Sequence, residues 1–298
     1  MVDILNVVLQ RYGSQLHESG DIKVSVQPES STLVVGDENI NKSLLFLTAI
    51  TAASEFGFRV LFFTQNQIQS LPVTAQDSFA SLKPDSLKLE MNSHWCHCQQ
   101  VVEYNTVEHK IRFVYPKTLE ELLEDVASLH ELVPETAPLP SLLILDGVER
   151  YLCVKDRPQQ DCQSAAAHIV ALLHDTAAFL KTRREQSQQL ACRVIVSYQP
   201  EWEGRENDTF APDSILSVLE RYLQVRCSLC KVINSGEARK EWLLYLSGQG
   251  LVDGYANGEK SLQWRVVMQH NGTLEFRPES DLREETSQLK NSDCKDEK

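Results

Sequence analysis

The sequence predicts an α/β fold, in which helices flank a mainly parallel sheet and antiparallel hairpins occupy the C-terminal third. Continuous apolar runs alternate with segments of helical periodicity, which is typical of buried parallel strands. These largely apolar runs lie at 32–35, 60–64, 111–115, 142–146 and 193–199. Near the C-terminus, shorter segments at 242–246, 263–268 and 273–276 follow one another without helices, and Asn271-Gly272 is a strong hairpin-turn signal.

The helical periodicity that separates the strands predicts the connecting helices. A helix is expected directly after the first strand, and two more are expected before the last strands of the parallel sheet. These helices are predicted at 43–56, 119–132 and about 162–185.

Three segments stand apart from this core, which we place at residues 31–278. Residues 1–30 are interpreted as a short amphipathic helix, packed on the main domain or on a partner, followed by a connector. Residues 65–108 contain scattered prolines and serines and are predicted to be an insertion or long loop. Residues 279–298 are charged and polar and are predicted to be a disordered tail.

The composition limits the class of protein. The net charge of −13 argues against a protein that coats DNA by bulk electrostatics, so a nucleic-acid site must be a local basic patch or be completed by a partner. No signal peptide and no apolar run of membrane-spanning length is evident. We therefore expect a cytosolic or nuclear protein that does not enter membranes.

The eight cysteines are dispersed along the chain, which predicts free thiols in a reducing compartment. Cys227 and Cys230 have the spacing of zinc ligands. A structural zinc site needs four ligands, and no second cysteine pair follows. Alternation around this pair fits a strand, so unpaired cysteines are the favoured interpretation.

A candidate phosphate-binding loop follows the first strand. Its residues are Gly36, Asp37, Glu38, Asn39, Ile40, Asn41, Lys42 and Ser43. Such a loop wraps backbone N–H groups and a helix N-terminus around phosphates. In this interpretation, Lys42 reaches the β- and γ-phosphates of ATP and Ser43 holds Mg²⁺. The alternative is a strand–helix turn with a chance Lys-Ser pair, and the loop alone leaves the two interpretations even.

The motif departs from the usual pattern in two ways. Asn41 stands where that pattern has glycine. The position often needs a left-handed backbone, which Asn tolerates better than most other residues. Asp37 and Glu38 bring negative charge near the phosphates, which weakens binding when their side chains point inward.

A second segment raises the odds of a nucleotide site. Four apolar residues are followed by Asp146, as in the strand whose aspartate orients Mg²⁺ through Ser43 and water. A buried strand that ends in a polar residue is common by itself. The two segments together, in this order and with an α/β pattern between them, favour a P-loop nucleotide site.

Four segments carry a resemblance to a known family. Residues 36–43, 111–116, 142–152 and 169–178 resemble the ATPase that accompanies a SWIM-type zinc-finger protein, a distant RecA-like recombinase paralogue and subunit of a Shu-type complex. The similarity is good over about residues 32–200 and weak in the C-terminal hairpins.

The resemblance implies a RecA-like P-loop NTPase core that binds ATP, Mg²⁺ and single-stranded DNA, with hydrolysis stimulated by DNA. It also implies a nuclear complex with the SWIM-type zinc-finger protein. That complex promotes or protects the filaments of a recombinase, with its paralogues as further partners, during double-strand-break repair.

The resemblance also identifies one catalytic departure. RecA-like enzymes place a catalytic glutamate just after the second strand, but residues 64–67 are Thr-Gln-Asn-Gln. An amide can orient a water molecule but cannot act as a general base, so fast hydrolysis by this chain alone is not expected. Gln199, at the end of the fifth strand, corresponds to the γ-phosphate sensor of RecA-like proteins.

Four residues are candidates for DNA binding. Lys155 and Arg157 follow the Asp146 strand, where RecA-like proteins have their first DNA loop. Trp202 and Arg205 follow Gln199 and can stack on bases or contact phosphate. Acidic residues surround this pair at positions 201, 203, 206 and 208, so an ordinary acidic surface loop is an equally good interpretation of the second segment.

Two functions therefore remain open. The chain is an ATP-dependent accessory factor in recombination, or it is a non-hydrolysing scaffold of the same fold that acts only through protein partners. An unrelated P-loop kinase would have an Arg-rich lid and a second catalytic carboxylate, and the sequence has neither signature.

Overall fold

The structure is a computed structural model that describes residues 4–13, 31–68, 73–74, 110–131, 139–152, 158–185, 192–200, 213–232, 240–248 and 262–278. The strands in these ranges are β1 (Thr32–Val35), β2 (Val60–Thr64), β3 (Ile111–Val114), β4 (Leu142–Asp146), β5 (Arg193–Tyr198), β6 (Val225–Lys231), β7 (Lys240–Gly248), β8 (Leu262–Met268) and β9 (Leu274–Pro278). The helices are α1 (Ile4–Arg11), α2 (Glu38–Glu55), α3 (Leu119–Ser128), α4 (Glu149–Leu152), α5 (Gln159–Glu185) and α6 (Ser214–Tyr222).

The nine strands form one mixed sheet in the order β3-β2-β4-β5-β1-β6-β7-β8-β9. The six strands β3, β2, β4, β5, β1 and β6 run parallel to one another, and β6, β7, β8 and β9 form antiparallel pairs. Every residue of β1, β2 and β4 is buried, as expected for strands covered on both faces. The predicted fold class, a mainly parallel sheet followed by antiparallel hairpins, is confirmed.

Two apolar layers cover the faces of the sheet. Helices α1 and α2 pack on one face together with the inner side of the hairpins. Helices α3, α5 and α6 pack on the other face. In the first layer the rings of Phe46 and Phe62 stack with centroids 5.1 Å apart, and Phe113 lies 5.3 Å from Phe62. The aromatic cluster fixes α2 against β2 and β3, which holds the start of α2 next to the end of β1.

The N-terminal helix and the last hairpin agree with the sequence predictions. Leu5 and Leu9 of α1 are fully buried against the main core. The turn between β8 and β9 contains Gly272 at φ 84°, a left-handed backbone that glycine adopts without strain. Two backbone hydrogen bonds within 269–273 close this turn.

Helix boundaries differ from the predictions. Helix α2 begins at Glu38 instead of residue 43, because the Asp37 side chain caps it by accepting from the backbone N–H of Asn39. Helix α3 ends at Ser128, before residue 132. Helices α4 and α6 are short, and the periodicity did not reveal them. Asp213 caps α6 by accepting from the backbone N–H groups of its second and third residues.

The segments outside the core are described only in part. Within 65–108, Ile68 is buried, and the hydroxyl of Thr74 accepts a hydrogen bond from the backbone of Leu274 at 2.7 Å. Residues 69–72 and 75–108, the connector at 14–30 and the tail at 279–298 lie outside the described residues. The domain limits at 30 and 278 therefore stay predictions. None of the helices in the described ranges is long and apolar enough to span a membrane.

Replacing Phe62 should destabilise the core. The ring is fully buried between Phe46 and Phe113. We therefore expect Phe62→Ala to lower the free energy of unfolding by about 3–5 kcal/mol in urea titrations. Tyr222→Ala, at an aromatic side chain that is 38% exposed, is the control and should change it by about 0.5 kcal/mol or less. Equal losses in the two variants would contradict this packing.

Candidate functional site

The carboxyl ends of β1, β2, β4 and β5 lie along one edge of the sheet, because these strands are parallel. This edge is where open α/β sheets usually bind ligands. Gly36 follows β1, Asp146 ends β4 and Gln199 follows β5. The backbone N–H of Gly36 donates to the carbonyl of Tyr198 at 3.2 Å, so the ends of β1 and β5 are in direct contact. The structure therefore brings these three predicted site residues to the same edge.

Most of the candidate phosphate loop is helical. Residues 38–43 form the first turns of α2, and Gly36 and Asp37 alone join the helix to β1. The carboxylate of Asp37 accepts from the N–H of Asn39 at 2.9 Å. An anion at a helix N-terminus interacts favourably with the free N–H groups and with the helix dipole. Here the chain itself supplies an anion at the N-terminus of α2.

Asn41 joins the motif to the neighbouring strand. Its side-chain amide is 2% exposed and donates to the carbonyls of Gly36 (3.0 Å) and Tyr198 (3.4 Å). Because Asn41 lies within α2, the expectation of a left-handed backbone at this position is wrong. Its Oδ1 atom is buried without a hydrogen-bond partner. A buried acceptor cannot bind phosphate oxygens, which are acceptors as well.

The glycine of the motif is also enclosed. A Cβ atom placed on Gly36 would lie 2.6 Å from the Cβ of Leu229 and 3.3 Å from the Oδ1 of Asn41. Contact with β6 therefore requires glycine at this position. Close packing of the backbone, rather than room for a phosphate, explains this glycine in the structure.

The two residues predicted to contact phosphate and metal lie on the second turn of α2. Lys42 is half-buried. The Ser43 hydroxyl donates to the carbonyl of Asn39 at 2.8 Å, a bond within the helix. This contact is local, so Ser43 is not directed at Asp146 in this arrangement.

The carboxylate of Asp146 is almost completely enclosed, with 1% of the residue exposed. Its Oδ2 atom accepts from the Thr64 hydroxyl at 3.0 Å and from Arg150 at 3.3 Å. Its Oδ1 atom accepts from the Ser197 hydroxyl at 3.3 Å, and that hydroxyl accepts from the N–H of Gly147 at 2.8 Å. Protein donors from β2, β5 and α4 thus satisfy this buried charge.

Arg150 contacts the buried acids of this edge. Its guanidinium lies 2.7 Å from Glu38, 3.3 Å from Asp146 and 4.0 Å from Glu149. Burial opposes the charge of Arg150, but the three carboxylates outweigh burial and raise its pKa above the ordinary value. One guanidinium therefore links the start of α2 to the end of β4.

Glu149 is the second unusual acid of the edge. Burial raises its pKa from 4.5 to about 7, although the N–H of Gln199 donates to its Oε2 atom at 3.1 Å and Arg150 lies nearby. This contact holds the backbone of Gln199, the predicted γ-phosphate sensor, against α4. Glu149 is therefore titrated near neutral pH.

The donor set expected for Mg²⁺ does not fit a metal in this arrangement. The Ser43 hydroxyl is used within α2, Asp146 is surrounded by three donors, and the neighbouring positive charge is Arg150. Within the described ranges, no group of three or more His, Cys, Asp or Glu side chains is arranged to hold a metal ion. A divalent cation held jointly by Ser43 and Asp146 would require both α2 and Arg150 to move.

Sequence reasoning missed the partners of Asp146. Thr64 and Ser197 are polar residues at or near the ends of buried strands, and Arg150 is four residues after Asp146. The polar residues at the strand ends and the spacing of the arginine are local signals that a buried acid at position 146 needs donors.

The candidate DNA residues Lys155, Arg157, Trp202 and Arg205 lie outside the described residues. The elements before and after these two segments are described. Residues 153–157 follow α4, and residues 201–212 follow the end of β5. After the two segments, Gln159 donates to the Ser214 hydroxyl at 2.8 Å, so the starts of α5 and α6 are adjacent.

Comparisons with known proteins identify relatives. No protein-family model matches the chain. The mouse protein named ATPase SWSAP1 is 35% identical over 187 residues, which cover 63% of this chain and 53% of the mouse protein. The human protein of the same name is 33% identical over 198 residues, covering 66% and 70%. The chain thus spans about half the length of the mouse relative that it matches.

Among solved structures, a KaiC-like protein from Pyrococcus horikoshii aligns with a TM-score of 0.48 and 11% identity. The alignment covers 84% of this chain and 89% of that protein.

Restoring the motif glycine should destabilise the protein. Asn41→Gly removes two hydrogen bonds between α2 and the strand ends and adds the cost of glycine in a helix. We expect a loss of about 2 kcal/mol in the free energy of unfolding, measured in urea. Asn39→Gly, at an exposed position of the same helix, is the matched control and should cost about 1 kcal/mol or less. Improved stability of Asn41→Gly would contradict the role assigned to this amide.

The acid Glu149 should make stability depend on pH. Because its pKa is about 7 in the folded chain and near the ordinary 4.5 in the unfolded chain, the folded chain binds the extra proton between these values. The contribution of this proton to the free energy of unfolding is complete below pH 4.5 and is lost as the pH rises through 7. Glu149→Gln should therefore gain up to about 3 kcal/mol relative to the parent chain between about pH 5 and about pH 8.

Urea unfolding at several pH values measures this difference. Glu120→Gln, at an exposed position of α3, is the control. If the curves of the two variants run parallel to that of the parent chain, the raised pKa of Glu149 is refuted.

Proposed function

This chain belongs to the family of RecA-like ATPases named SWSAP1, and we propose that it is an accessory factor in homologous recombination repair. In this proposal it acts in the nucleus, in a complex with a SWIM-type zinc-finger protein. The complex binds single-stranded DNA and promotes or stabilises the filaments of a recombinase and its paralogues. The four segments that resemble this family, together with the identity to the two relatives, support the proposal.

The observation that carries the proposal is the convergence of the candidate residues on one edge of the sheet. The motif after β1, Asp146 after the apolar part of β4, and Gln199 after β5 all lie there. The segments that contain Lys155 and Trp202 follow α4 and the end of β5, which the hydrogen bond from the Gln199 N–H to Glu149 joins. A RecA-like protein needs this proximity, because the nucleotide and the DNA act on each other through these connections.

Paired candidate segments favour a composite DNA site. Because Gln199 bonds to Glu149 of α4 and Gln159 bonds to Ser214, the described residues that flank 153–157 and 201–212 lie near each other. Lys155, Arg157 and Arg205 would contact phosphates, and Trp202 would stack on a base. The net charge of −13 makes this local site weak by itself. A partner that contributes basic surface would strengthen it.

ATP is the proposed nucleotide, and Lys42 is the residue that would contact its phosphates. In the arrangement described, residues 38–41 are helical, and Asp37 occupies the helix N-terminus. The first turn of α2 must unwind to release a cradle of N–H groups. We therefore expect the isolated chain to bind ATP weakly, and DNA or the partner to favour the open form.

A second candidate function is a non-hydrolysing scaffold. Asp146 is enclosed by protein donors, and the side-chain amide of Gln65 donates to the carbonyl of Lys117 at 2.8 Å. No carboxylate stands in the four residues that end and follow β2. In this second proposal the RecA-like fold contributes surfaces to the complex, and nucleotide turnover has no role.

Reconstitution tests the proposed role. We expect the full chain, co-expressed with a SWIM-type zinc-finger protein, to co-purify with it and to slow salt-induced disassembly of recombinase filaments on labelled single-stranded DNA. Lys42→Ala in the same assay distinguishes the two candidates. If the chain is an ATP-dependent accessory factor, Lys42→Ala should abolish the effect of ATP on filament stability. If the chain is a non-hydrolysing scaffold, Lys42→Ala should leave filament stability unchanged. Absence of both association and filament protection would refute the proposed function.

The DNA site can be tested separately. The double variants Lys155→Ala/Arg157→Ala and Trp202→Ala/Arg205→Ala should weaken binding of the complex to single-stranded DNA. The slope of log affinity against log salt should become shallower by about 0.7 for each phosphate contact that the substitutions remove. Lys231→Ala/Lys240→Ala, at exposed positions of β6 and β7, is the matched control. Equal affinity in all variants would assign DNA binding to the partner alone.

A further inference from the structure

The edge of the sheet carries its own cation between the two elements that a metal was expected to join. The sequence predicts that Mg²⁺ links Ser43 of α2 to Asp146 of β4. In the structure, Arg150 links α2 to β4 instead, through Glu38 at 2.7 Å and Asp146 at 3.3 Å. We propose that Arg150 is a built-in counter-ion that takes the place of a divalent cation at this edge.

The charge balance around Arg150 supports this role. Three carboxylates, those of Glu38, Asp146 and Glu149, lie within 4.0 Å of one guanidinium. The Asp146 side chain is 1% exposed and that of Arg150 is 13% exposed, so water screens this pair weakly. A cluster of acids this deeply placed needs a positive charge, and the chain provides it covalently.

The backbone is shaped to hold the guanidinium in place. Gly147 has φ 73°, a left-handed conformation, and a Cβ atom there would lie 2.7 Å from the Cζ of Arg150. The N–H of Arg150 donates to the carbonyl of Gly147, and the N–H of Gly147 donates to Ser197. This turn places the arginine beside the Asp146 carboxylate, so its position follows from the path of the backbone as well as from charge.

A metal ion has no suitable place while Arg150 is there. A cation that approached Asp146 would meet a guanidinium of like charge, and it would have to displace donors from Thr64 and Ser197.

This inference deepens the proposed nucleotide site, but its test is independent of nucleotide, DNA and partner. Mn²⁺, which is paramagnetic, serves as the probe for a divalent-cation site, and its free concentration is read by electron paramagnetic resonance. We expect the full-length parent chain to bind no Mn²⁺ at this edge. Arg150→Gln leaves three carboxylates without their cation and should create a Mn²⁺ site that the additional change Asp146→Asn removes.

Thermal unfolding gives a second readout. Millimolar Mg²⁺, compared with sodium salt of equal ionic strength, should leave the melting temperature of the parent chain unchanged. It should raise that of Arg150→Gln, which begins lower. Arg150→Lys, which keeps the charge, should resemble the parent. The matched control Arg265→Gln removes an arginine 3.4 Å from Glu241 on the hairpins and should show no Mg²⁺ response.

Two results would overturn the proposal. One is saturable Mn²⁺ binding by the parent chain that Asp146→Asn abolishes. The other is a folded Arg150→Gln variant that gains neither Mn²⁺ binding nor a Mg²⁺ response. If Arg150→Gln does not fold, the Mn²⁺ titration of the parent chain still decides. Failure here leaves the recombination role untouched, and failure to co-purify with a SWIM-type partner leaves this proposal untouched.

Discussion

A carboxylate that is taken out of water must be paired and hydrogen-bonded, because an isolated buried charge costs several kcal/mol. Asp146 is in this position, and its partners come from separate parts of the fold. Thr64 belongs to β2, Ser197 to β5 and Arg150 to α4. Arg150 then reaches Glu38 at the start of α2. One buried charge therefore connects three strands and two helices at the edge where the candidate residues meet.

The same constraint explains why residues 38–43 are helical and do not form an open phosphate-binding loop. The helix starts at Glu38 because Asp37 is a good N-cap, and Glu38 in the first turn interacts favourably with the helix dipole and with Arg150. Asn41 then bonds to the end of β5. These contacts replace, one by one, those that a phosphate and its metal would make. A ligand at this edge competes with interactions within the chain.

Local patterns predicted most of the fold. Strands such as β1 and β4 were evident as short apolar runs, since parallel strands are buried on both faces. Asn271-Gly272 marked its hairpin because glycine adopts the left-handed backbone that the turn needs. The start of α2 was misplaced because the motif was interpreted as a loop, although Asp37 is a capping residue. Helices α4 and α6 are too short for periodicity to reveal.

The site was predictable in location but not in its interactions. Gly36, Asp146 and Gln199 were expected on one edge, because parallel strands have their carboxyl ends together, and the structure brings them there. The bond between Arg150 and Glu38 joins residues that are 112 positions apart. Such a contact depends on the tertiary fold and on charge balance, which no local pattern records.

The position of β1 has a consequence for how the chain is made on the ribosome. Thr32 pairs with Ile195 on one side and with Val225 on the other, so the first strand has no strand neighbour until β5 or β6 has been synthesised. At typical elongation rates, the wait for β5 is on the order of 10–30 s. During that interval four consecutive apolar or β-branched residues lack their hydrogen-bonding partners. The nascent chain must therefore avoid aggregation for longer than its size alone would demand, and its yield should depend on chaperones that bind exposed apolar segments.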